Sequence, residues 1–109
     1  MHTGNNDAEP RYAVIFTAAT RGLDDEYSET AARMRELAFS KYRCAGFNAS
    51  LENGLEIAIS YWHDLDDIRA WHDNAEHRAA QALGKSRWYR WFRVEVVDIR
   101  RRYGENFSQ

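Results

Sequence analysis

Cysteine and proline are nearly absent from this chain, and so are long apolar runs and any large excess of charge of one sign. The single cysteine, Cys44, cannot form an internal disulfide and stands outside any Cys/His spacing typical of a metal site, which favours the reducing cytosol. No segment approaches the roughly 18 apolar residues that span a membrane, and the polar N-terminus lacks the apolar region of a secretory signal. We therefore expect a cytoplasmic protein that is neither secreted nor inserted in a membrane.

The net charge and the chain length limit the possible binding partners and the number of domains. The net charge is -2, from 15 basic and 17 acidic residues, so no positive field attracts nucleic acid or anionic lipid. With 109 residues, of which 44% are hydrophobic, the chain supports a single core. The only proline, Pro10, ends a polar stretch. We predict a disordered tail over 1–10, one domain over 11–103 and a second tail over 104–109.

Hydrophobic periodicity predicts the order strand, helix, strand, strand, helix, strand, a ferredoxin-like α+β arrangement with an antiparallel sheet. Asp24 or Asp25 can cap the first helix, whose apolar stripe repeats at helical spacing. Between the second and third strands, Asn53-Gly54 predicts a tight hairpin turn.

The second helix is expected to begin after Asp64, with Asp67 completing a capping-box-like pair. It either runs unbroken to Gly84, a natural residue just past a helix C-terminus, or breaks near Asn74 into two shorter pieces. Its predicted core-facing stripe consists of Leu65, Ile68, His72, Ala75, Ala79 and Leu83.

One side of the predicted sheet has no helix to cover it. That side is expected to present Ala13, Ile15, Ala58, Ser60 and Val97, with Trp62 packing in the sheet and at an interface. Such a surface is too apolar to face water freely. We predict that it packs on the same surface of a second copy, in a two-fold homodimer that buries on the order of 1,500 Å² or more.

The histidines do not predict a metal site. His72 and His77 are five residues apart, whereas metal ligands on one helical face need a spacing of three or four, and no cysteine joins them. On one unbroken helix, Asn74, His77, Arg78 and Gln81 share a face with Trp71 at its edge. That face is either a solvated polar surface or the wall of a pocket.

Other candidates also have two interpretations. His72 is interpreted first as a core histidine and second as a functional one. Trp88 to Phe92 pack either in the core and an interface or around a ligand, with Trp88 and Trp91 as a wall; Arg90 or Arg93 can attract an anionic substrate.

The stretch from Tyr61-Trp62 through Trp71-His72-Asp73-Asn74-Ala75-Glu76-His77 to Ala80-Gln81, Gly84 and Trp88-Tyr89 resembles the antibiotic biosynthesis monooxygenase family. The similarity extends from about Tyr12 to Tyr103. It implies a dimeric α/β barrel, in which two ferredoxin-like subunits associate through their sheets.

The resemblance also implies an activity, because characterised members oxidise phenolic polycyclic substrates with O2 and without metal or flavin. Their pocket tryptophan matches Trp71, whereas their asparagine falls at Asp67 and their tyrosine at His77. We expect His77, with an unperturbed pKa near 6.5, to act as the base and Trp71 to stack on the substrate. Further substrate contacts are expected from Asn74, Gln81, His72, Asp67, Trp88 and Arg93.

Two alternatives remain open from the sequence. Heme-degrading relatives share the tryptophan of the second helix, but their heme-ligating histidine corresponds to Gln81 and their first-strand asparagine to Thr17, which disfavours heme as a cofactor. A non-catalytic dimer that binds a small molecule or serves a stress-related role fits the same scaffold.

Overall fold

A computed structural model describes residues 9–105 and shows a four-stranded antiparallel sheet with helices on one side. The elements are β1 (Tyr12–Thr20), α1 (Asp25–Tyr42), β2 (Gly46–Glu52), β3 (Leu55–Trp62), α2 (Leu65–Asp73), α3 (Ala75–Leu83) and β4 (Tyr89–Asp98). A π-helical turn, Gly84–Trp88, joins α3 to β4. The strand order β2-β3-β1-β4 confirms the predicted ferredoxin-like fold.

Most of the two predicted tails, residues 1–8 and 106–109, lies outside the described residues. At the near end of the first tail, Pro10 is buried and the Glu9 carboxylate pairs with Arg102 at 3.0 Å. Residues 9 and 10 therefore pack on the domain. None of the helices in the described part of the chain is long and apolar enough to cross a bilayer.

Local signals in the sequence account for the ends of α1 and for the hairpin. The Asp24 carboxylate accepts a hydrogen bond from the Tyr27 backbone N–H at 2.9 Å, so Asp24 is the N-cap. The helix ends where Arg43 adopts a left-handed φ of 63°. Asn53 and Gly54 have φ values of 54° and 78°, which confirms the predicted tight turn between β2 and β3.

The long second helix is broken at Asn74. The Asn74 side-chain oxygen accepts hydrogen bonds from the backbone N–H groups of Glu76 at 2.8 Å and His77 at 3.3 Å, and thereby caps α3. Of the two predicted alternatives, the broken helix is confirmed. The predicted capping box is wrong, because Asp64 caps α2 through the Asp66 N–H while the Asp67 carboxylate turns away to Arg43.

The strand register shows which residues face the helices. Trp62 of β3 pairs with Tyr12 of β1, and Ala58 pairs with Phe16. The side of β3 that faces the helices carries Glu56, Ala58, Ser60 and Trp62, all of them buried. The predicted open face is therefore wrong for Ala58, Ser60 and Trp62, because strand alternation commits all three to the side of the fully buried Trp62.

The side of the sheet that faces away from the helices is apolar and partly exposed. Ala13, Ile15 and Val97 lie there as predicted, since they alternate with the inward-facing residues. Ile57 and Val97 are each 37% exposed to solvent, and Trp91 is 46% exposed. Trp91 therefore does not form a wall with the buried Trp88, from which it is separated by the sheet.

Gly84 lies just past the C-terminus of α3, as predicted, but its φ of -57° is right-handed and continues helical geometry into the π-helical turn. A Cβ atom at Gly84 would lie 2.9 Å from the Cδ2 and Cε2 atoms of the Tyr89 ring. The Arg21 guanidinium donates to the backbone carbonyls of Lys85 at 3.0 Å and Ser86 at 2.8 Å, which satisfies acceptors that the turn leaves free. Gly84 therefore allows the Tyr89 ring to pack against the turn.

We expect Gly84→Ala to lower the free energy of unfolding by about 1–3 kcal/mol, because its methyl group overlaps the Tyr89 ring. The measurement is urea unfolding followed by circular dichroism. Gly22→Ala is the matched control, since a Cβ at Gly22 meets open space and its backbone carries no left-handed φ. Equal stability of the two variants would contradict the steric role of Gly84.

Candidate active site

A cavity of about 450 Å³ lies between the sheet and the helices, a volume typical of small-molecule sites. Its floor is the helix-facing side of β1 and β3, where Ala58 and Ser60 contribute small side chains. Helices α1, α2 and α3 supply the walls, and the π-helical turn supplies one end with Trp88 and Tyr89.

Trp71 is a fixed wall of this cavity. It is 8% exposed and packs against Trp62 at a centroid distance of 5.3 Å and against His77 at 4.3 Å. Its indole N–H donates to the Met34 carbonyl at 3.2 Å. The indole N–H is thus occupied within the protein, and the ring contributes shape and apolar surface to the cavity.

His77 lines the cavity with an incomplete set of hydrogen bonds. Its Nδ1 is buried and has no partner among residues 9–105. Burial, and then the nearby His72 ring at 5.7 Å, lower the pKa of His77 to about 4. The expectation of an unperturbed pKa near 6.5 is therefore wrong, and the imidazole is neutral at pH 7.

His72 is neither a core histidine nor a fully enclosed one. Its side chain is 53% exposed at the edge of the cavity, with Nδ1 3.3 Å from the Asp73 carboxylate. The predicted core stripe is wrong at its first residue, Leu65, which is 42% exposed at the cavity, and again beyond His72, where Ala75 and Ala79 are exposed. The cause beyond His72 is the cap at Asn74, which begins a new helix and ends the spacing of the stripe.

Gln81 and Trp88 both line the cavity. Within residues 9–105 the Gln81 amide forms no side-chain hydrogen bond, so it is available to a ligand. Trp88 is 2% exposed and donates through Nε1 to the Asp24 carboxylate at 3.0 Å, which ties the π-helical turn to the start of α1.

Three predicted substrate contacts lie outside the cavity. Asn74 uses its oxygen to cap α3 and donates its amide N–H to the Tyr42 hydroxyl at 3.0 Å. Asp67 pairs with Arg43 at 3.0 Å. Arg93 lies on the opposite side of the sheet, with its guanidinium 5.6 Å from the Trp91 ring. Each side chain is thus engaged elsewhere in the protein.

The polar group that sequence reasoning missed is Glu56. It is 8% exposed, lines the cavity, and accepts a hydrogen bond from the Tyr89 hydroxyl at 3.0 Å. Burial together with Glu56 raises the pKa of both Tyr89 and Tyr27, so these phenols remain protonated. Strand alternation with Trp62 was the available signal, because it places Glu56 on the same side.

Ser60 is a second missed member of the floor. It is 3% exposed, and its hydroxyl oxygen accepts a hydrogen bond from the Trp62 indole N–H at 2.8 Å. The Ser60 hydroxyl hydrogen remains available to donate toward the cavity.

We expect His77 to make stability depend on pH. Its pKa in the folded protein is about 4, below the ordinary value of 6.5. Between these two pH values the unfolded chain therefore binds a proton at His77 and the folded protein does not. The stabilisation is complete above pH 6.5 and is lost as pH falls toward 4, by about 2 kcal/mol between pH 7 and pH 5. Urea unfolding of the wild type and His77→Gln at both pH values measures this difference.

His63→Gln serves as the control for this experiment, because the partly exposed His63 ring contacts the Glu9 carbonyl outside the cavity. Asp24 and Glu76 also have lowered pKa values and lose stabilisation as pH falls, but they are present in all three proteins and cancel. An equal pH dependence in the wild type and His77→Gln would contradict a buried, neutral His77.

Comparison with known proteins gives one relative of substantial sequence identity. The uncharacterised protein YqjZ of Bacillus subtilis is 40% identical over 100 residues, which cover 89% of this chain and 88% of YqjZ. A comparison with protein-family models finds no match.

Solved structures show the same fold at low identity. SnoaB, a cofactor-independent oxygenase from Streptomyces nogalater, has a mutant structure that superposes with a TM-score of 0.73 at 13% identity, covering 88% of this chain and 99% of that one. A protein from Caulobacter crescentus, provisionally named an antibiotic biosynthesis monooxygenase, gives 0.70 at 12% identity, covering 90% and 98%. The chain therefore belongs to the family of YqjZ, and its fold is that of the antibiotic biosynthesis monooxygenases.

Proposed function

We propose that this protein is a cofactor-independent monooxygenase that oxidises a small aromatic or polycyclic metabolite with O2. The observation that carries the proposal is the half-open cavity, whose walls include several aromatic rings and which is lined by a neutral imidazole with one nitrogen that has no partner among residues 9–105. Buried polar groups without partners are rare in proteins and are often found at functional sites. The fold shared with a cofactor-independent oxygenase supports the same reaction class.

The chemistry requires no electron donor other than the substrate. A phenol or enol that loses its proton becomes an electron-rich carbanion, which transfers electrons to O2 and forms a carbon–oxygen bond. Loss of water from the resulting peroxide leaves a carbonyl group. One oxygen atom is then in the product and the other in water, and the substrate carbon has supplied the two hydrogens and four electrons.

His77 is the proton acceptor in this proposal. Because Nδ1 is buried, Nε2 is the ring nitrogen available to a substrate in the cavity. A conjugate acid with a pKa of about 4 makes His77 a weak base, so proton removal depends on donors that stabilise the enolate oxygen. The Gln81 amide and the Ser60 hydroxyl are donors that line the same cavity.

We expect oxygen consumption with a panel of anthrones, whose reacting carbon carries two hydrogens, to reveal turnover that depends on His77. His77→Phe should lower kcat/KM by about 10²- to 10⁴-fold, the usual contribution of a positioned base. His63→Phe is the control, because it removes a histidine that lies outside the cavity. Product spectra should show the quinone.

Two outcomes would contradict the oxygenase. One is the absence of turnover on every substrate, and the other is equal activity of His77→Phe and the wild type. Substrate binding without oxygen consumption would instead identify a non-catalytic small-molecule-binding protein, and Trp71→Ala would then be expected to weaken that binding.

A homodimer formed through the open side of the sheet is part of the proposal. That side exposes Ile57, Val97 and Trp91, and an apolar surface of this kind is seldom left in water by a monomer. A second copy has the matching surface by symmetry, because a two-fold contact uses the same patch on both subunits.

We expect the wild type to sediment as a dimer and Ile57→Glu to sediment as a monomer, since each subunit would bring a carboxylate into the apolar contact. Phe39→Glu is the control: Phe39 is 45% exposed on α1 and lies away from the sheet surface. Sedimentation velocity distinguishes the two states. A monomeric wild type, or dissociation by both substitutions, would contradict this interface.

A further inference from the structure

The Glu56 carboxyl group occupies an unusual environment for an acidic side chain. It is buried on the floor of the cavity, and the Tyr89 hydroxyl donates to its Oε1 at 3.0 Å. A carboxylate can accept about four hydrogen bonds, so one or two phenol donors leave it with unused capacity. A buried charge is unfavourable unless it is paired, and the part of the chain described by the structure provides no cation for this one.

The arginines that line the cavity, Arg35 and Arg69, form no ion pair with Glu56. Within residues 9–105, no Lys, Arg or His nitrogen lies within 4.0 Å of the Glu56 carboxylate. The Arg35 guanidinium lies over the Phe47 ring at 5.0 Å, and Arg69 pairs with Asp66 at 3.2 Å. No side chain described around the cavity therefore forms a direct ion pair with Glu56, although Arg35 lines the same cavity and its field reaches the neighbouring Tyr27.

Aromatic rings enclose this same end of the cavity. Tyr27 packs edge-on against Trp88 at 5.5 Å and against Tyr89 at 6.4 Å, and Phe16 lies 5.4 Å from Tyr89. All four rings line the cavity together with Glu56. The face of an aromatic ring is negative and attracts a cation, above all one without strong hydration.

We propose that Glu56 and the rings of Tyr27 and Tyr89 form a subsite for a protonated amine on the ligand. An ammonium group donates to the carboxylate and contacts ring faces, so it satisfies both features at once. A neutral hydroxyl group satisfies only the hydrogen bond. The inference rests on the proposed function insofar as it takes this cavity to be the substrate site, and it adds the chemical class of one substituent.

The subsite and the proposed reaction centre lie in different parts of the cavity. Trp62, which packs under Trp71, is six residues beyond Glu56 on the same side of β3, roughly 20 Å along the strand. A ligand that reaches both parts therefore carries its amine at a distance from the ring that His77 would deprotonate.

The test compares two probes by isothermal titration calorimetry at pH 7. Naphthylethylamine is protonated at this pH, and naphthylethanol is its neutral counterpart of nearly equal size. We expect the wild type to bind the amine at least about tenfold more tightly than the alcohol. Glu56→Gln should lower the affinity for the amine by about tenfold and leave the affinity for the alcohol unchanged.

Glu52→Gln is the matched control, because it removes an acidic side chain from the exposed end of β2. It should leave both affinities unchanged. Equal binding of the two probes by the wild type, or an unchanged preference in Glu56→Gln, would overturn the subsite. If Glu56→Gln does not fold, the wild type decides alone: the subsite requires the order amine, then alcohol, then naphthylpropionate.

The outcomes separate this inference from the proposed function. A preference for the amine that depends on Glu56 in a protein that oxidises no anthrone supports the subsite and contradicts the oxygenase. Turnover that depends on His77 in a protein that binds the two probes equally supports the oxygenase and overturns the subsite.

Discussion

The burial of Trp62 is the constraint on which the rest of this structure depends. Its side chain is fully buried, and its indole N–H bonds to Ser60 on the same side of β3. Because strand residues alternate, Trp62 commits Ser60, Ala58 and Glu56 to the side that faces the helices. The large ring fills one end of that layer, while the small side chains beside it leave a space. The cavity is thus a direct consequence of where one tryptophan lies.

Polar contacts then hold the walls of the cavity in place. Asp24 caps α1 and also binds the Trp88 indole, so one carboxylate connects a helix start to the π-helical turn. Trp71 is fixed by its bond to the Met34 carbonyl of α1. Short π-helical segments are frequent at functional sites, and this one brings Trp88 and Tyr89 to the cavity end where Glu56 lies. The indole N–H groups of Trp71 and Trp88 are therefore occupied by hydrogen bonds within the protein.

Local sequence signals predicted the elements of this fold but only part of its site. Asp24, Asn53-Gly54 and Asn74 act through their own backbone neighbourhoods, so composition over a few residues is sufficient to interpret them. The choice of sheet side was wrong at Ala58 and Ser60 because the more apolar side of β3, with Leu55 and Ile57, faces away from the helices, and alternation alone does not say which side is buried. The pKa of His77 depends on packing between separate elements, which no local pattern contains.

His77 and Glu56, two polar residues that line the cavity, both act as hydrogen-bond acceptors and so limit the ligands that the cavity can bind. Among residues 9–105, the neutral His77 ring offers one nitrogen as an acceptor and the Glu56 carboxyl group forms no ion pair, so each can accept a hydrogen bond from a ligand. The apolar and aromatic surface between them favours a flat, largely unsaturated ligand. A molecule that satisfies both acceptors must donate near each end, with an acidic hydroxyl at one and a cationic or hydroxyl group at the other. A simple hydrocarbon would leave both buried groups unsatisfied, and that deficit selects against it.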